Sequence, residues 1–262
     1  YQHPEDGYKE TIEAIGRDDL ASFHKKHYGP RGMVIAIVGA VSPEEAREKV
    51  AVSLGNWQNP NQPDQLDLPS ITPLSKLIRS SVSIPGKTQS DIIIGAAGPK
   101  RKAPDFIAAV LGNNILGQFG MMGRIGEAVR ERAGLAYYAY SRVSGGVGPG
   151  PWSVMAGVNP ENVEQAVDLI RQEIRRFTDE PVSDDELRDS QANFIGRLPL
   201  ALESNSGVSG ALLSLERHQL GLDYFQRYAE IINAIKPEDV LHAASHYLDA
   251  EKLAITVAGT AI

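Results

Sequence analysis

No cysteine occurs among the 262 residues, so disulfide frameworks, thiolate zinc ligands and a cysteine nucleophile are all excluded. Long apolar runs are missing too. The longest covers residues 33–38 and resumes at Ala40 and Val41, far short of the roughly twenty residues that span a bilayer, so no membrane insertion is expected. Positive charge is in deficit: Lys plus Arg is 26 against 33 for Asp plus Glu, a net charge of −7. A nucleic-acid surface needs a clustered cationic excess to displace counterions, and no nucleic-acid partner is expected. The chain opens on Tyr1 with no initiator Met, basic n-region or apolar h-region, which predicts a processed chain or an excised segment. A cytoplasmic location is expected, without support from the chain's own start, since the original N-terminus is not present. What is present, 42% hydrophobic and 23% charged residues, is the composition of a globular protein able to bury a core.

Proline divides the chain. Residues 58–75 (QNPNQPDQLDLPSITPLS) carry Pro60, Pro63, Pro69 and Pro73. Proline fixes φ and removes a donor, so this run reads as an extended linker. Residues 1–57 then form a piece too short to be comfortably stable alone, and residues 76–262 a larger domain. The short piece reads as a helix over 18–27, a buried strand over 33–39 (MVIAIVG), and a helix opened by Ser42, Pro43 and a capping-box Glu45. The larger piece reads as strands over 77–84, 89–97, 135–143, 152–158 and 253–259. Helices are predicted from Pro104 to Leu116, from the end of the glycine-rich 117–126 to near Arg132, from Pro160 to about Phe177, and from a Ser183/Glu186 capping box past Phe194. Three more cover 210–220, 224–234 and 237–247.

A repeat is legible. Residues 14–39 and 234–259 both read Ala-Ile, two residues, an acidic pair, a helix ending His-Tyr, a break, and an apolar strand ending in glycine; Gly39 and Gly259 lie 220 positions apart. If the unit closes a domain each time, residues 1–57 hold the last elements of an earlier copy. About 150 or more further residues are then expected upstream.

Most chemical motifs fail on inspection. His242 and His246 have the i, i+4 spacing of two zinc ligands, but Ala243 stands where HExxH needs its base, and no third ligand is evident. They read as surface or half-buried helix histidines, and HxxEH is absent. GQFGMMGRIG is not a dinucleotide fingerprint, and GGVGPG lies between two strands, so it reads as a hairpin turn. There is no Walker A sequence and no G-x-S-x-G elbow. The remaining candidate is AVRERAGLAYYAYS (128–141). Strand alternation puts Tyr137 with Leu135 and Ala139 on one face and Tyr138 with Tyr140 on the other. Arg130, seven residues before Tyr137 across a Gly134 turn, and the Tyr137 phenol can both address carbonyl oxygens of an extended peptide. The plain reading is a packed tyrosine and a solvated helix-end arginine.

Two stretches, YGPRGMVIAIVGAVSPEE (28–45) and NNILGQFGMMGRIGEAVRERAGLAYYAYS (113–141), resemble the M16 zinc metallopeptidases, the pitrilysin/insulinase group, and within it the smaller bacterial members related to mitochondrial processing peptidase. The resemblance covers essentially the whole chain. It implies an α/β (α+β two-layer) fold: a mixed, largely antiparallel sheet with helices packed on one face, the LuxS/MPP-like metallohydrolase fold. It implies two related halves enclosing a chamber, this chain being the C-terminal half with the tail of the catalytic one. The zinc ligands, HxxEH and a downstream glutamate, are then expected in the upstream half or in a partner subunit, with none here. Arg130 would hold the substrate backbone, and Tyr137 would hydrogen-bond near the scissile carbonyl, with Tyr138 the alternative if the register differs. The implied partners are a zinc-bearing N-terminal half or a homologous M16 subunit and a peptide substrate, with a dimer also compatible. The implied function is the substrate-binding half of a zinc endopeptidase, inactive alone; the alternative is an inactive partner or scaffold subunit.

Overall fold

The computed structural model describes residues 4–64, 68–118 and 123–259. The chain forms two units, Tyr1–Leu68 with Ser204–Leu213, and Pro69–Glu203 with Ser214–Ile262.

The first unit contains α1 (Lys9–Ala14), α2 (Arg17–His27) and α3 (Pro43–Leu54), none of which has a buried residue. Its cohesion is largely polar. The Asn59 side-chain amide donates to the Lys25 and Tyr28 carbonyls at 2.9 and 2.8 Å. Gln62 both accepts from the Arg31 amide and donates to its carbonyl, each at 3.0 Å. His24 lies flat against Tyr28 and Trp57, ring centroids 5.2 and 6.4 Å apart. The helix after Ser42 forms as expected, its hydroxyl accepting from the Glu45 amide at 3.2 Å. The reciprocal half of the capping box does not form, because the Glu45 carboxylate turns to Lys49 at 3.5 Å. The buried strand expected over 33–39 is also not found. Those residues pair with no strand among the described residues, and Met33, Val34, Ile35 and Ile37 stand 42–49% exposed. The apolar run is present, but nothing described here covers it.

The second unit is the two-layer domain. Its strands are β1 (Ile78–Ser83), β2 (Ser90–Ala97), β3 (Ala136–Val143), β4 (Pro151–Val158) and β5 (Ala254–Gly259). Each begins and ends within one residue of its expected bounds. They form one sheet in the order β1-β5-β2-β4-β3. Only β1 and β5 run parallel; the other pairs are antiparallel. Its helices are α4 (Phe106–Gly117), α5 (Gly123–Gly126), α6 (Val163–Asp179), α7 (Asp184–Ala201), α9 (Tyr228–Asn233) and α10 (Pro237–Tyr247), while α8 (Asn205–His218) is divided, its residues to Leu213 belonging to the first unit. α5 passes directly into a π-helical turn, Glu127–Arg132. Of the glycine-rich run expected to lead into this helix, residues 119–122 lie outside the described residues.

The core lies on one sheet face. Ile92, Ile94, Ala139, Val154 and Ala156 pack against Leu111 of α4, Ile170, Ile174 and Phe177 of α6, and Val240 and Ala243 of α10, all 2% exposed or less. A fully buried Ile or Phe stabilises by about 1.5–3 kcal/mol relative to its exposed state. Trp152 meets Phe177 edge-on, centroids 6.2 Å apart, and its indole N–H donates to the Asn113 side-chain oxygen at 3.0 Å. Polar ties fix the helices to one another. The Asn114 amide donates to the Ser190 hydroxyl at 3.1 Å, which donates on to the Leu111 carbonyl at 3.0 Å. The Arg124 guanidinium grips Glu186 through Nε and Nη2, both at 2.7 Å. Here the capping box is complete, Ser183 and Glu186 bonding in both directions.

The repeat survives as local geometry. The Gly16 amide donates to Asp19 at 2.9 Å and the Lys236 amide to Asp239 at 2.8 Å. α2 and α10 each span eleven residues and end on an extended residue. Gly39 closes an unpaired segment, whereas Gly259 closes β5, an inner strand of the sheet.

Candidate functional site

Arg130 and Tyr137 lie on either side of a tight turn. Arg130 sits in the π-helical turn. The Gly134 and Leu135 amides donate back to the Arg130 and Val129 carbonyls at 3.1 and 3.0 Å. Gly134 adopts φ 65°, a left-handed conformation that costs little only without a Cβ. The chain then enters β3, one of the two outer strands of the sheet. The Arg130 side chain is 34% exposed, and its nearest carboxylate is its neighbour Glu131, at 3.5 Å.

Strict alternation fails at the start of β3. Ala136 pairs with Val158, but Tyr138 pairs with Gly157, so one residue is extra on the β3 side. A bulge of this kind re-aims a side chain. Tyr137 is therefore 83% exposed, while Ala139, expected on its face, is fully buried in the core. Among the described residues no hydrogen bond holds the Tyr137 phenol, and no hydrogen bond or ion pair joins it to Arg130. What links the two is the backbone of the turn.

Tyr138 and Tyr140 do share a face, the one turned away from the helices, with centroids 5.9 Å apart. Across the strands, Tyr138 aligns with Gly157 and Asp91, and Tyr140 with Met155 and Ile93. A Cβ at position 157 would lie 2.5 Å from the Tyr138 ring. Glycine there lets the phenol cross β4 and donate to Asp91 at 3.0 Å. Burial, then the Asp91 carboxylate, pushes the Tyr138 phenol up to about 12. Asp91 also accepts from Lys87 and from Gln89 at 2.9 Å, and the Lys87 hydrogen bond chiefly holds it below the usual carboxylate range. Tyr138 is thus a braced hydroxyl, Tyr137 an exposed one. The Lys87–Gln89–Asp91 brace was not anticipated from sequence, since its register with Tyr138 is set by the pairing of three strands.

The histidines of α10 serve structure. The His242 and His246 rings meet edge-on, 6.1 Å apart. His246 Nδ1 lies 3.2 Å from Asp105, which also accepts from the Tyr247 hydroxyl at 2.9 Å. Burial and the Asp105 carboxylate raise the Tyr247 phenol well above its ordinary range. No group of three or more His, Asp or Glu side chains among the described residues is placed to hold a metal ion. With HxxEH also absent from the sequence, these residues do not fit a catalytic zinc.

A two-layer domain, one five-stranded and mostly antiparallel sheet with helices packed on one face, is the class that the fold defines. The chain belongs to the peptidase M16 inactive domain family, which matches residues 14–194. An uncharacterized zinc protease of Streptomyces coelicolor is 29% identical over 217 residues, covering 79% of this chain and 45% of that protein. A probable inactive metalloprotease of Bacillus subtilis, YmfF, is 28% identical over 139 residues, covering 53% of this chain and 32% of that protein. The crystal structure of a peptidase M16 inactive domain from Pseudomonas fluorescens superposes with a TM-score of 0.87 at 26% identity, covering 99% of this chain and 61% of that one. A protease from Helicobacter pylori shares the fold at a TM-score of 0.83 and 19% identity, covering 96% of this chain and 61% of that one. The chain spans about half the length of the curated relatives it matches, 45–56% for the first three.

Proposed function

We propose that this chain is the substrate-holding, non-zinc-binding half of an M16 zinc endopeptidase. The observation that carries this reading is an exposed phenol at the start of an edge strand, with a weakly paired guanidinium on the other side of the turn that precedes it. An outer strand offers backbone donors and acceptors to an extended peptide. Arg130 would hold that peptide by a carbonyl, and Tyr137 would donate to the carbonyl region about to be cleaved. The half-covered face carrying Ile93, Tyr140 and Met155 would line one side of the chamber. Zinc belongs outside these residues, in an upstream half or on a partner subunit. In this reading residues 1–57 are closing elements of that half, residues 58–75 a linker, and 76–262 the complete C-terminal domain. The exposed 33–39 run would then become a strand of the other half's sheet, as its repeat counterpart β5 is in this one.

The test uses the full assembly. Arg130→Ala and Tyr137→Phe should each lower kcat/KM for peptide hydrolysis roughly tenfold or more, with zinc content by atomic absorption unchanged. Unaltered turnover in both variants would defeat the assignment. The second reading, a non-catalytic partner subunit, draws on the similarity to a relative named as inactive. A whole-protein sequence lacking HxxEH, with zinc absent from the purified protein, would favour it.

A further inference from the structure

Away from the open sheet face, a cavity of about 470 Å³ opens between the loop after β2, the end of α8 and the start of α9. Arg101, Lys102 and Arg227 line it beside His218, a cationic cluster on a chain of net charge −7. Asp223 is the one carboxylate bonded to any of them among the described residues, and it engages Arg227, through Nε at 2.6 Å. Arg101 and Lys102 have no carboxylate partner: Lys102 donates to the neutral Gln219 side chain, and Arg101 to the Tyr224 hydroxyl at 3.2 Å. Arg101 is nonetheless held in place. Its guanidinium stacks 4.5 Å from the Phe106 ring centroid and 5.8 Å from that of Tyr224, so little side-chain freedom remains to be lost on binding. Surrounding positive charge also registers on His218, which burial, then Arg101, Arg217 and Lys102, hold below the usual imidazole range. The carbonyls ending α8 account for a cation at Arg217. They do not account for Arg101 and Lys102, which arrive from a different element.

We propose that this cavity is a binding site for a phosphate-bearing anion. Two cations without counterions, one a pre-oriented planar fork, suit a ligand of two or more negative charges and several acceptor oxygens, which a single carboxylate does not supply. The volume falls within the range of small-molecule sites. This site is separate from Arg130 and Tyr137, and the proposal does not depend on peptide hydrolysis.

Calorimetric titration of the intact protein with inorganic pyrophosphate, and separately with phosphatidylglycerol vesicles, tests it. Pyrophosphate should bind at one site per chain and shift the His218 imidazole resonances. Lys102→Gln should weaken it about fivefold and Arg101→Gln about tenfold, in line with the loss of charge-assisted hydrogen bonds. Lys102 is exposed, so its variant keeps the test valid if Arg101→Gln loosens the aromatic packing. Binding to vesicles alone, with the same dependence on Lys102, would support the site and identify the phosphate as a lipid headgroup. The proposal is overturned if neither probe binds, if Lys102→Gln leaves affinity unchanged, or if a poly-glutamate peptide binds as tightly as pyrophosphate.

Discussion

The two copies of the repeat share local geometry and differ in burial. α2 and α10 begin with the same amide-to-aspartate bond, yet Leu20 and Phe23 stand 62% and 56% exposed while Val240 and Ala243, at the matching positions, are 1% and 0% exposed. The same holds downstream. Met33 and Ile35 are 42% and 47% exposed, and their counterparts Leu253 and Ile255 are 0% and 2% exposed. Helix caps are satisfied within four residues, so both copies form them. Strand burial needs partners distant in the chain, and only the second copy has them among the described residues. The second unit has exposed ion pairs too, but its most enclosed one has no match in the first among the described residues. Those of the first unit join side chains more than half exposed, where such pairs contribute little, whereas Arg124–Glu186 joins side chains 11% and 33% exposed.

The sharpest way to break this comparison is to truncate both copies at matched positions. Leu253→Ala should destabilise the second unit by about 2–5 kcal/mol, by lost transfer energy and a residual cavity. Met33→Ala in the same chain should cost less than about 1 kcal/mol, since it leaves no cavity. Urea unfolding followed by circular dichroism measures both, and comparable losses would refute the contrast.

Acid sharpens it at an intermediate scale. The Arg124 hydrogen bond, opposed by burial, lowers Glu186 from 4.5 to about 2. A carboxylate whose folded pKa lies below its unfolded value contributes stability fully present above about pH 4.5 and lost as pH falls towards 2. Glu186→Gln should therefore flatten that part of the pH dependence of the second unit's urea midpoint between pH 5 and 2. A profile parallel to wild type would show that the pair does not couple to folding.

The smallest effects should be equal. Asp19→Ala and Asp239→Ala each remove the acceptor for a helix-start amide, and each should cost about 0.5–1 kcal/mol of local helix stability, read from amide hydrogen exchange in α2 and α10. A marked inequality would mean the repeat is not one local structure used twice.

Much of the second unit was legible because its signals are local or periodic. Four of the five strands follow from apolar or aromatic runs bounded by turns, β1 (IRSSVS) being the polar exception, α10 from Pro237 at its start, and α7 from the Ser183/Glu186 box. Three features were not. The bulge at Tyr137 is set by β3's register against β4, which hydrophobic alternation cannot show. Asp105 meets Tyr247 across 142 positions, a tie no spacing rule reveals. The 33–39 run was legible as apolar but not as exposed, because burial is a property of what surrounds a segment. At the candidate site, residue types and the Gly134 turn were visible in sequence. That Tyr137 faces solvent while Tyr138 is tied to Asp91 was not, since Gly157 decides it from another strand.

The division of the two tryptophans gives the molecule a pair of internal reporters. The chain has two: Trp152, 1% exposed in the core of the second unit, and Trp57, half-buried beside His24 in the first. An indole sealed in hydrocarbon emits at shorter wavelength than one in contact with water. The second unit thus carries a blue signal and the first a redder one. Whether the two units melt as one body or in sequence can be followed in a single cuvette without attaching a label.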